Sequence, residues 1–388
     1  MDFELSPELE SIRENVTKIC DRFGDDYWLT LDREARFPRE FHRAMADAGF
    51  LGITMPEEYG GSGLGVTAAA IMMNAVGKGP GTFAACSSIH INLFGPHPIV
   101  VFGTPEQKQR WLVPLIKGEE QTCFGVTEPD AGLDTTHIKT RAERSKGGYV
   151  VNGRKMWTST AQVAHKILLL TRTTPIEQCA KPTDGMTLFY TDLDRSKIEV
   201  RHIDKMGRAA VDSNAVFIDG LFIRDEDRIG EEGKGFSYLL HSLNPERVLI
   251  GSEAVGMGQR ALEKASAYAR ERVVFGRPIG KNQAIAHPLA ECWAELEAAF
   301  AMCMKAAWLY DGGKPCGAEA NAAKLLGGRA GHKAAERAVF THGGMGYAKE
   351  FHVERYLRES MIPRIAPVSE ELILCHIAER VLGLPKSY

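Results

Sequence analysis

The chain has 388 residues, which is long enough for roughly two or three domains and a large buried core. Its net charge is −3, so no basic surface indicates a nucleic-acid partner. The eight cysteines include no CxxC pair, which predicts neither a metal site nor a redox motif. The N-terminal residues MDFELSPELE lack the apolar run of a signal peptide, and no stretch approaches about 18 apolar residues. We therefore expect a soluble cytoplasmic protein with reduced cysteines and no membrane segment.

The first third of the chain carries helical signals. Ser6 followed by Pro7 is typical of a helix start, and apolar residues then recur at helical spacing. A second helix is predicted over 38–48, and an Ala- and Met-rich buried helix over 67–76. The segment Thr104–Gln107 predicts a capping box that begins another helix.

The middle of the chain changes to strand patterns. Asn152-Gly153 between two strand-like runs predicts a two-residue hairpin turn, because both residues tolerate positive φ. Further strand-like runs follow without helical patterns between them, which favours an antiparallel sheet over βαβ units. These runs cover 166–171, 186–192, 197–202 and 214–218.

Helical spacing returns after about residue 231. Asn244 followed by Pro245 predicts a helix N-terminus there. Three further helical patterns cover 283–312, 317–341 and 369–382. The order of helices, sheet and helices predicts an α+β chain with a central antiparallel β domain between two helical domains. The domains are predicted at 1–122, 123–230 and 231–388.

Two polar segments of the middle region could hold a ligand. Thr127–Asp134 is rich in turn residues, and successive backbone N–H groups in a turn can bind phosphate or carbonyl oxygens. Trp157–Ser159 follows a strand pattern, where a tryptophan can stack on a planar cofactor and a hydroxyl can bond a ring nitrogen. Each segment alone is better explained as ordinary structure, a turn and a core tryptophan. The glycine-rich Gly60–Gly65 favours a surface turn over a nucleotide loop, because no convincing strand precedes it.

Together these segments resemble the acyl-CoA dehydrogenase family, and the resemblance extends over essentially the whole chain. Further motifs in the family's order are Pro56–Gly61, Gly103–Gln107, Lys205–Gly207, Gly230–Phe236, Arg272–Ile279 and Gly343–Tyr347. The resemblance implies an N-terminal helical domain, a central β domain and a C-terminal four-helix bundle, in agreement with the order of elements. It also implies FAD as cofactor, an acyl-CoA substrate, electron-transferring flavoprotein as acceptor, and a homotetramer or dimer.

The resemblance assigns roles at the flavin. Thr127 is expected to bond the pyrimidine edge, Trp157 to flank the ring and Ser159 to hydrogen-bond near N5. The positions implied for the pyrophosphate and adenosine half, usually supplied by a neighbouring subunit, are Arg272, Phe275, Gln283, Gly343 and Gly344. The remaining FAD positions are Phe124, Val126, Gly132, Leu133, Thr158, Phe340, Ser369 and Glu371.

Two of these positions depart from the family's pattern. Leu133 stands where many members have a serine that contacts a ligand, so only a backbone contact carries over. Phe340 stands where a glutamine often meets FAD, and an aromatic ring could stack there instead.

The catalytic base is not where most of the family carries it. The reaction passes the α-proton to a carboxylate and the β-hydride to flavin N5, and loss of such a base costs about 10²–10⁴-fold. An ungapped match anchored on Arg358 puts Pro367 at the usual glutamate. A minority, including isovaleryl- and long-chain acyl-CoA dehydrogenases, carry the base on a helix beside an arginine, which here matches Glu246 and Arg247. Glu246 is the predicted base. The alternative is a purely structural role, as a first-turn glutamate that the helix dipole stabilises. Glu370 is the fallback base.

Pro367 raises a second question about the thioester carbonyl. In the family the backbone N–H at this position helps to polarise that carbonyl, and one such donor is worth roughly 3 kcal/mol, whereas proline has none. Either the loop is reshaped, or another donor such as Ser369 or the Val368 N–H substitutes, or the chemistry differs. His90 falls near the expected floor of the acyl pocket, although a packed histidine is the more frequent explanation. The implied substrate contacts are Leu243, Asn244, Arg247, Pro367 and Val368.

The sequence therefore predicts FAD-dependent α,β-dehydrogenation of an acyl-CoA thioester to the 2,3-enoyl-CoA. A flavin monooxygenase or oxidase on the same fold is an alternative, motivated by the altered loop. A non-catalytic binding member is another, against which the intact Trp157, Ser159 and Arg272 argue. The acyl group and the physiological acceptor stay open, and no metal is expected.

Overall fold

A computed structural model describes residues 4–387, and its first part is helical. Ser6 Oγ accepts from the Leu9 N–H, and Thr104 and Gln107 form the complete capping box, so both predicted helix starts are confirmed. The helices are α1 (Pro7–Asp21), α2 (Asp25–Glu34), α3 (Arg39–Asp47), α4 (Val66–Lys78), α5 (Thr82–Phe94), α6 (His97–Phe102) and α7 (Pro105–Ile116). Helix α5 was not predicted, because nearly every one of its residues is buried and it has no polar face.

The central sheet has eight strands in the order β6-β7-β3-β2-β4-β5-β8, with β1 beside β4. The strands are β1 (Thr122–Gly125), β2 (Arg141–Ser145), β3 (Gly148–Ser159), β4 (Lys166–Arg172), β5 (Met186–Asp192), β6 (Ile198–His202), β7 (Ser213–Arg224) and β8 (Arg228–Ile229). Most neighbours are antiparallel, as predicted, but β1 and β2 each pair with β4 in parallel.

The predicted hairpin turn at Asn152–Gly153 was wrong. The turn between β2 and β3 is Lys146–Gly147, whereas Asn152 and Gly153 lie inside β3 at a shift of register against β7. A Cβ atom at Gly153 would lie 2.5 Å from Thr140 Oγ1, so the glycine serves a close approach at a bulge. The Asn-Gly dipeptide suits both a hairpin turn and a bulge within a strand. Pairing with strands distant in sequence decides between the two.

The C-terminal part is a bundle of long helices with short ones packed on it. The elements are α8 (Gly235–Glu271), α9 (Gln283–Asp311), α10 (Gly317–His342), α11 (Val353–Glu359), α12 (Ile362–Ile365) and α13 (Glu370–Arg380). A small hairpin of β9 (Val273–Val274) and β10 (Arg277–Pro278) joins α8 to α9. No helix within residues 4–387 is long and apolar enough to cross a membrane.

The predicted helix start at Asn244 was also wrong, because α8 begins at Gly235 and contains Pro245. Proline in a helix interior removes one backbone hydrogen bond, which a long helix packed on several sides can tolerate. Glu246 therefore lies more than two turns inside α8. The first-turn explanation for this glutamate fails, since the helix dipole acts mainly within the first turn.

Glycines let α8 approach its neighbours closely. A Cβ at Gly256 would lie 2.3 Å from the Asn74 carbonyl of α4, and one at Gly327 of α10 would lie 2.5 Å from the Gly251 carbonyl. These close contacts hold α8 between α4 and α10, and α5 also packs against α8. The polar face of α8 that carries Glu246 is thereby fixed in the interior.

Candidate active site

The two predicted flavin segments lie side by side. The Met156 N–H donates to the Thr127 carbonyl over 2.8 Å, and Lys155 Nζ donates to the Val126 carbonyl over 3.1 Å. These bonds join the chain after β1 to β3. The turn that follows Val126 is therefore held against the strand that carries Trp157.

A buried ion pair, which the sequence analysis missed, fixes this junction. Glu128 Oε1 accepts from Lys155 Nζ at 2.8 Å and from the Thr140 N–H at 2.9 Å, and Oε2 accepts from the Lys139 N–H at 2.6 Å. Burial lowers the pKa of Lys155 to about 8. Against burial, Lys155 and the two N–H groups hold the pKa of Glu128 below its usual value. The available signal was alternation, because Lys155 faces inward on β3 as Val151 does.

Trp157 stands in a strained backbone conformation. Its φ is +60°, and the register between β3 and β7 shifts between Lys155 and Thr158. The bulge leaves the indole 56% exposed, whereas the Thr158 hydroxyl is buried without a hydrogen-bond partner. Strain of this kind concentrates at functional sites. An accessible aromatic ring beside an unused hydroxyl suits a planar cofactor with polar edges.

The other residues predicted near the flavin ring differ in exposure. Phe124 is half-buried, with its ring 5.3 Å from that of Phe94, and Val126 is buried. Gly132 and Leu133 are exposed, and nothing lies within 4 Å of a Cβ built at Gly132. An exposed Leu133 fits the expectation that this position contributes its backbone.

Glu246 is buried, and no group among the described residues donates a hydrogen bond to its carboxylate. Burial raises the pKa of Glu246 to about 7, while the charges of His90, Arg247 and Lys324 oppose the rise. Arg247 Nη1 donates to Asn244 Oδ1 at 3.1 Å and does not hydrogen-bond the Glu246 carboxylate. A carboxyl group with this pKa is about half ionised at neutral pH, which suits a general base.

Glu370, the fallback base, is engaged elsewhere. Its Oε1 accepts from Arg364 Nε at 2.7 Å, and its Oε2 accepts from Arg329 Nε at 3.1 Å. Although burial opposes it, these guanidinium groups hold the pKa of Glu370 below its usual value. The Val368 carbonyl accepts from Lys324 Nζ at 2.5 Å, which ties the loop to α10.

The loop at Pro367 has an unpartnered backbone donor that could bind a carbonyl. Pro367 is half-buried, and the Val368 N–H has no partner among residues 4–387. The Ser369 hydroxyl begins α13 by accepting from the Leu372 N–H at 3.3 Å. Glu371, on the first turn of that helix, is exposed.

A set of polar residues that the sequence analysis largely missed lies between α5, α8 and the sheet. We call it the inner polar cluster, and it consists of Ser87, His90, Ser159, Arg208 and Glu253. His90 Nδ1 and Glu253 Oε1 are 2.5 Å apart, and both side chains are buried. Burial favours a neutral ring, but the Glu253 carboxylate raises the pKa of His90 above its usual value. His90 Nε2 and Glu253 Oε2 have no hydrogen-bond partner among the described residues.

Arg208 links this cluster to a predicted flavin residue. Its Nη1 donates to Ser87 Oγ at 3.2 Å, and its Nη2 donates to Ser159 Oγ at 3.2 Å and Ser213 Oγ at 3.1 Å. Burial lowers the pKa of the Arg208 guanidinium. Its backbone φ is +60°, another strained position. Arg208 directly follows the Lys205–Gly207 motif, so its place in the sequence was the available signal.

Comparison with known proteins decides the family. Models of the acyl-CoA dehydrogenase N-terminal, middle and C-terminal domains match residues 6–119, 123–221 and 233–382. The probable acyl-CoA dehydrogenase YngJ of Bacillus subtilis (strain 168) is 35% identical over 98% of this chain and 100% of its own. The chain belongs to the acyl-CoA dehydrogenase family.

Two solved structures agree with this acyl-CoA dehydrogenase in fold. Butyryl-CoA dehydrogenase from Megasphaera elsdenii has a TM-score of 0.93 at 27% identity, over 98% of this chain and 100% of that one. The FAD complex of PigA has a TM-score of 0.93 at 28% identity, over 99% of this chain and 100% of that one. The chain is a flavoprotein oxidoreductase with FAD as cofactor, and the predicted family, fold class and cofactor are confirmed.

In this acyl-CoA dehydrogenase chain, the residues predicted for the adenosine half of FAD lie toward the C-terminal end of α8, far from Glu246. From Glu246 to Arg272, α8 rises about 39 Å at ~1.5 Å per residue. Phe275 sits at the tip of the β9–β10 hairpin with φ +52° and is 99% exposed. The other residues predicted for this half of FAD are also exposed, namely Arg272, Gln283, Phe340, Gly343 and Gly344. Within one chain these residues are therefore separated from Glu246 by more than half the length of α8.

Proposed function

We propose that this acyl-CoA dehydrogenase removes the α-proton of its thioester substrate with Glu246 and releases the 2,3-enoyl-CoA. One observation carries the proposal: Glu246 is a buried carboxylate without a hydrogen-bond partner, and burial raises its pKa to about 7. The loop that holds the base in most of the family has Pro367 at that position, and Glu370 is occupied by two arginines. Glu246 is then the carboxylate best suited to the proton transfer.

FAD, when bound, supplies the acceptor for the hydride of the β-carbon. We assign its ring to the surface between the Thr127 turn and Trp157, supported by the strained, exposed indole and the unpartnered Thr158 hydroxyl. The ion pair of Glu128 and Lys155 holds that turn in place. The further FAD contacts that we propose on this side are Phe124, Val126, Gly132, Leu133, Ser159, Ser369 and Glu371.

The thioester carbonyl needs a donor, because polarising it acidifies the α-proton. We assign this role to the Val368 N–H, which has no partner among the described residues, in place of the donor that Pro367 lacks. Lys324 Nζ binds the Val368 carbonyl, which belongs to the next peptide unit, and so anchors this part of the loop to α10. Leu243 and Asn244, both half-buried on the turn of α8 before Glu246, complete the proposed substrate contacts together with Arg247.

The distal residues support a shared cofactor site. Phe275 is fully exposed on a strained hairpin, and leaving such an aromatic side chain in water is energetically unfavourable. Tyr347, which is close in sequence to Gly343 and Gly344, is 89% exposed. We propose that a neighbouring subunit of a homotetramer or dimer contributes Arg272, Phe275, Gln283, Phe340, Gly343 and Gly344 to each FAD. We further propose electron-transferring flavoprotein as the acceptor and a cytoplasmic location.

The test of the base is Glu246→Gln in the FAD-loaded enzyme, with Glu263→Gln as a matched control. Glu263 lies on the same helix, half exposed, in an ion pair with Lys78. We expect turnover and anaerobic flavin bleaching by acyl-CoA to slow by about 10²–10⁴-fold in the first variant, with little change in the second. FAD content should stay the same in both.

Wild-type turnover in Glu246→Gln would refute the assignment of the base. Oxygen consumption is followed in the same assays. Turnover that consumes oxygen without an added acceptor would favour the oxidase alternative over a dehydrogenase.

A further inference from the structure

Arg208 is a cation without a carboxylate of its own. Its hydrogen-bond partners among the described residues are three serine hydroxyls, and its Nε is enclosed without a partner there. Lys205, one turn of chain earlier, likewise has an enclosed Nζ without a partner. A charged group withdrawn from water is costly unless an opposite charge or hydrogen bonds compensate it.

The carboxylates that act electrostatically on Arg208 are bound to other groups. Glu253 is paired with His90. Asp212 accepts from the Gln162 N–H at 3.1 Å. Glu359 accepts from the Ala84 N–H at 3.0 Å and also lies 3.6 Å from Arg355. Their positions leave the forked donor of Arg208 free of a direct ionic contact.

The position of Arg208 relates it to the proposed reaction centre. It bonds Ser159 at the end of β3 and Ser87 on α5, and Ser87 and His90 lie on the same face of α5, three residues apart. His90 is bound to Glu253, which stands two helical turns, about 10 Å, beyond Glu246 on α8. Arg208 is therefore beside the strand end that carries Trp157, and the His90–Glu253 pair closes the interior a short distance from the base.

We propose that the acyl group of the substrate is short and carries a carboxylate, and that Arg208 binds that carboxylate. The proposal rests on the proposed function, because it places the acyl chain between Glu246 and the inner polar cluster. A planar guanidinium binds a carboxylate with two parallel hydrogen bonds, and here the carboxylate takes the place of one of the serine hydroxyls that Nη2 contacts. Lys205 adds positive potential, and the closed His90–Glu253 pair limits the length of the chain.

The experiment compares thioesters in pairs. Dicarboxylic mono-CoA esters from succinyl- to adipyl-CoA are each assayed beside the monocarboxylic ester of the same carbon number, with wild-type enzyme, Arg208→Met and Arg208→Lys. We expect at least one dicarboxylic ester to exceed its partner in kcat/KM by about 30-fold or more, since a buried charge-assisted contact is lost in the partner. Arg208→Met should abolish that ratio, and Arg208→Lys should retain part of it through its charge.

Arg201→Met is the control for loss of an arginine, because Arg201 is exposed and its ion pair is with Glu199. It should keep the wild-type ratio. FAD content and the visible flavin spectrum of each variant show whether Arg208 acts only by supporting FAD binding. In that case both esters of a pair lose activity equally in Arg208→Met, and the proposal is overturned.

The outcomes separate this proposal from the assignment of the base. If monocarboxylic esters are turned over as well as dicarboxylic ones and Glu246→Gln abolishes both, the proposed function stands and the carboxylate site falls. If the preference for a dicarboxylic ester holds but Glu246→Gln leaves turnover intact, the base is wrong and the binding site stands.

Discussion

Two buried ion pairs of this chain differ in how completely their polar atoms are used. In the pair of Glu128 and Lys155, both carboxylate oxygens and the ammonium group are hydrogen-bonded. In the pair of His90 and Glu253, one bond joins the partners, while His90 Nε2 and Glu253 Oε2 stay unpartnered among the described residues. The first pair lies at the junction of the flavin segments, and the second lies between α5 and α8 near Glu246.

The difference indicates different roles. A fully bonded buried pair can recover the cost of removing its charges from water, and it fixes one backbone arrangement. An incompletely bonded pair contributes less to stability, and such pairs are found where a site is shaped for a ligand. We infer that the Glu128–Lys155 pair serves the architecture of the flavin surface and the His90–Glu253 pair serves the acyl pocket.

The largest expected effect comes from breaking the complete pair with Lys155→Met. The change leaves the Glu128 carboxylate buried without its cation, which costs about 3–5 kcal/mol in free energy of unfolding. The turn after Val126 should then loosen from β3 and FAD occupancy should fall. Denaturant unfolding and the flavin absorbance of the purified protein measure the two effects.

Lys139→Met is the matched control for that experiment. The Lys139 side chain is exposed in an ion pair with Asp130, whereas its backbone N–H, which binds Glu128, is retained in the variant. A change within about 0.5 kcal/mol is expected. Equal losses in the two variants would contradict a special role for the buried pair.

The fold was predictable to the extent that local signals acted alone. The starts of α1 and α7 followed from capping side chains that bond their own helix. The predictions at Asn152–Gly153 and Asn244-Pro245 were wrong, because each dipeptide is compatible with two backbone conformations and packing selects between them. The parallel pairings with β4 also have no local signal, since they join segments far apart in sequence.

The site was predictable where chemistry lies in contiguous motifs. Thr127 and Trp157 were predicted in this way, and their segments are joined by the bonds between β3 and the residues that follow β1. Arg208, although it follows the Lys205–Gly207 motif, and Glu253 were not predicted, because each is recognised only through a partner on another element. Buried polar partners distant in sequence require the folded chain to be recognised.

The next effect in size is the dependence of activity on pH. Burial raises the pKa of Glu246 to about 7, and the base must be ionised to accept a proton. The kcat/KM should therefore rise with pH up to about 7 and level off above it, with a loss of roughly tenfold per unit below. His90 lowers this pKa, so His90→Leu should move the midpoint upward. A flat profile from pH 5 to 8 would contradict the role of Glu246.

The smallest expected effect, and the sharpest test of the comparison, is the double replacement His90→Leu with Glu253→Met. Exchange of an ion pair for apolar side chains of similar volume is often neutral or stabilising, and we expect a free energy of unfolding from unchanged to about 1 kcal/mol higher. His90→Leu alone should be less stable than the double variant, because the Glu253 carboxylate then lacks its partner. Urea unfolding at neutral pH measures both. A decrease of more than about 2 kcal/mol in the free energy of unfolding of the double variant would mean that this pair stabilises the fold, as Glu128 and Lys155 do. The contrast between the two pairs would then no longer assign His90 and Glu253 to the acyl pocket.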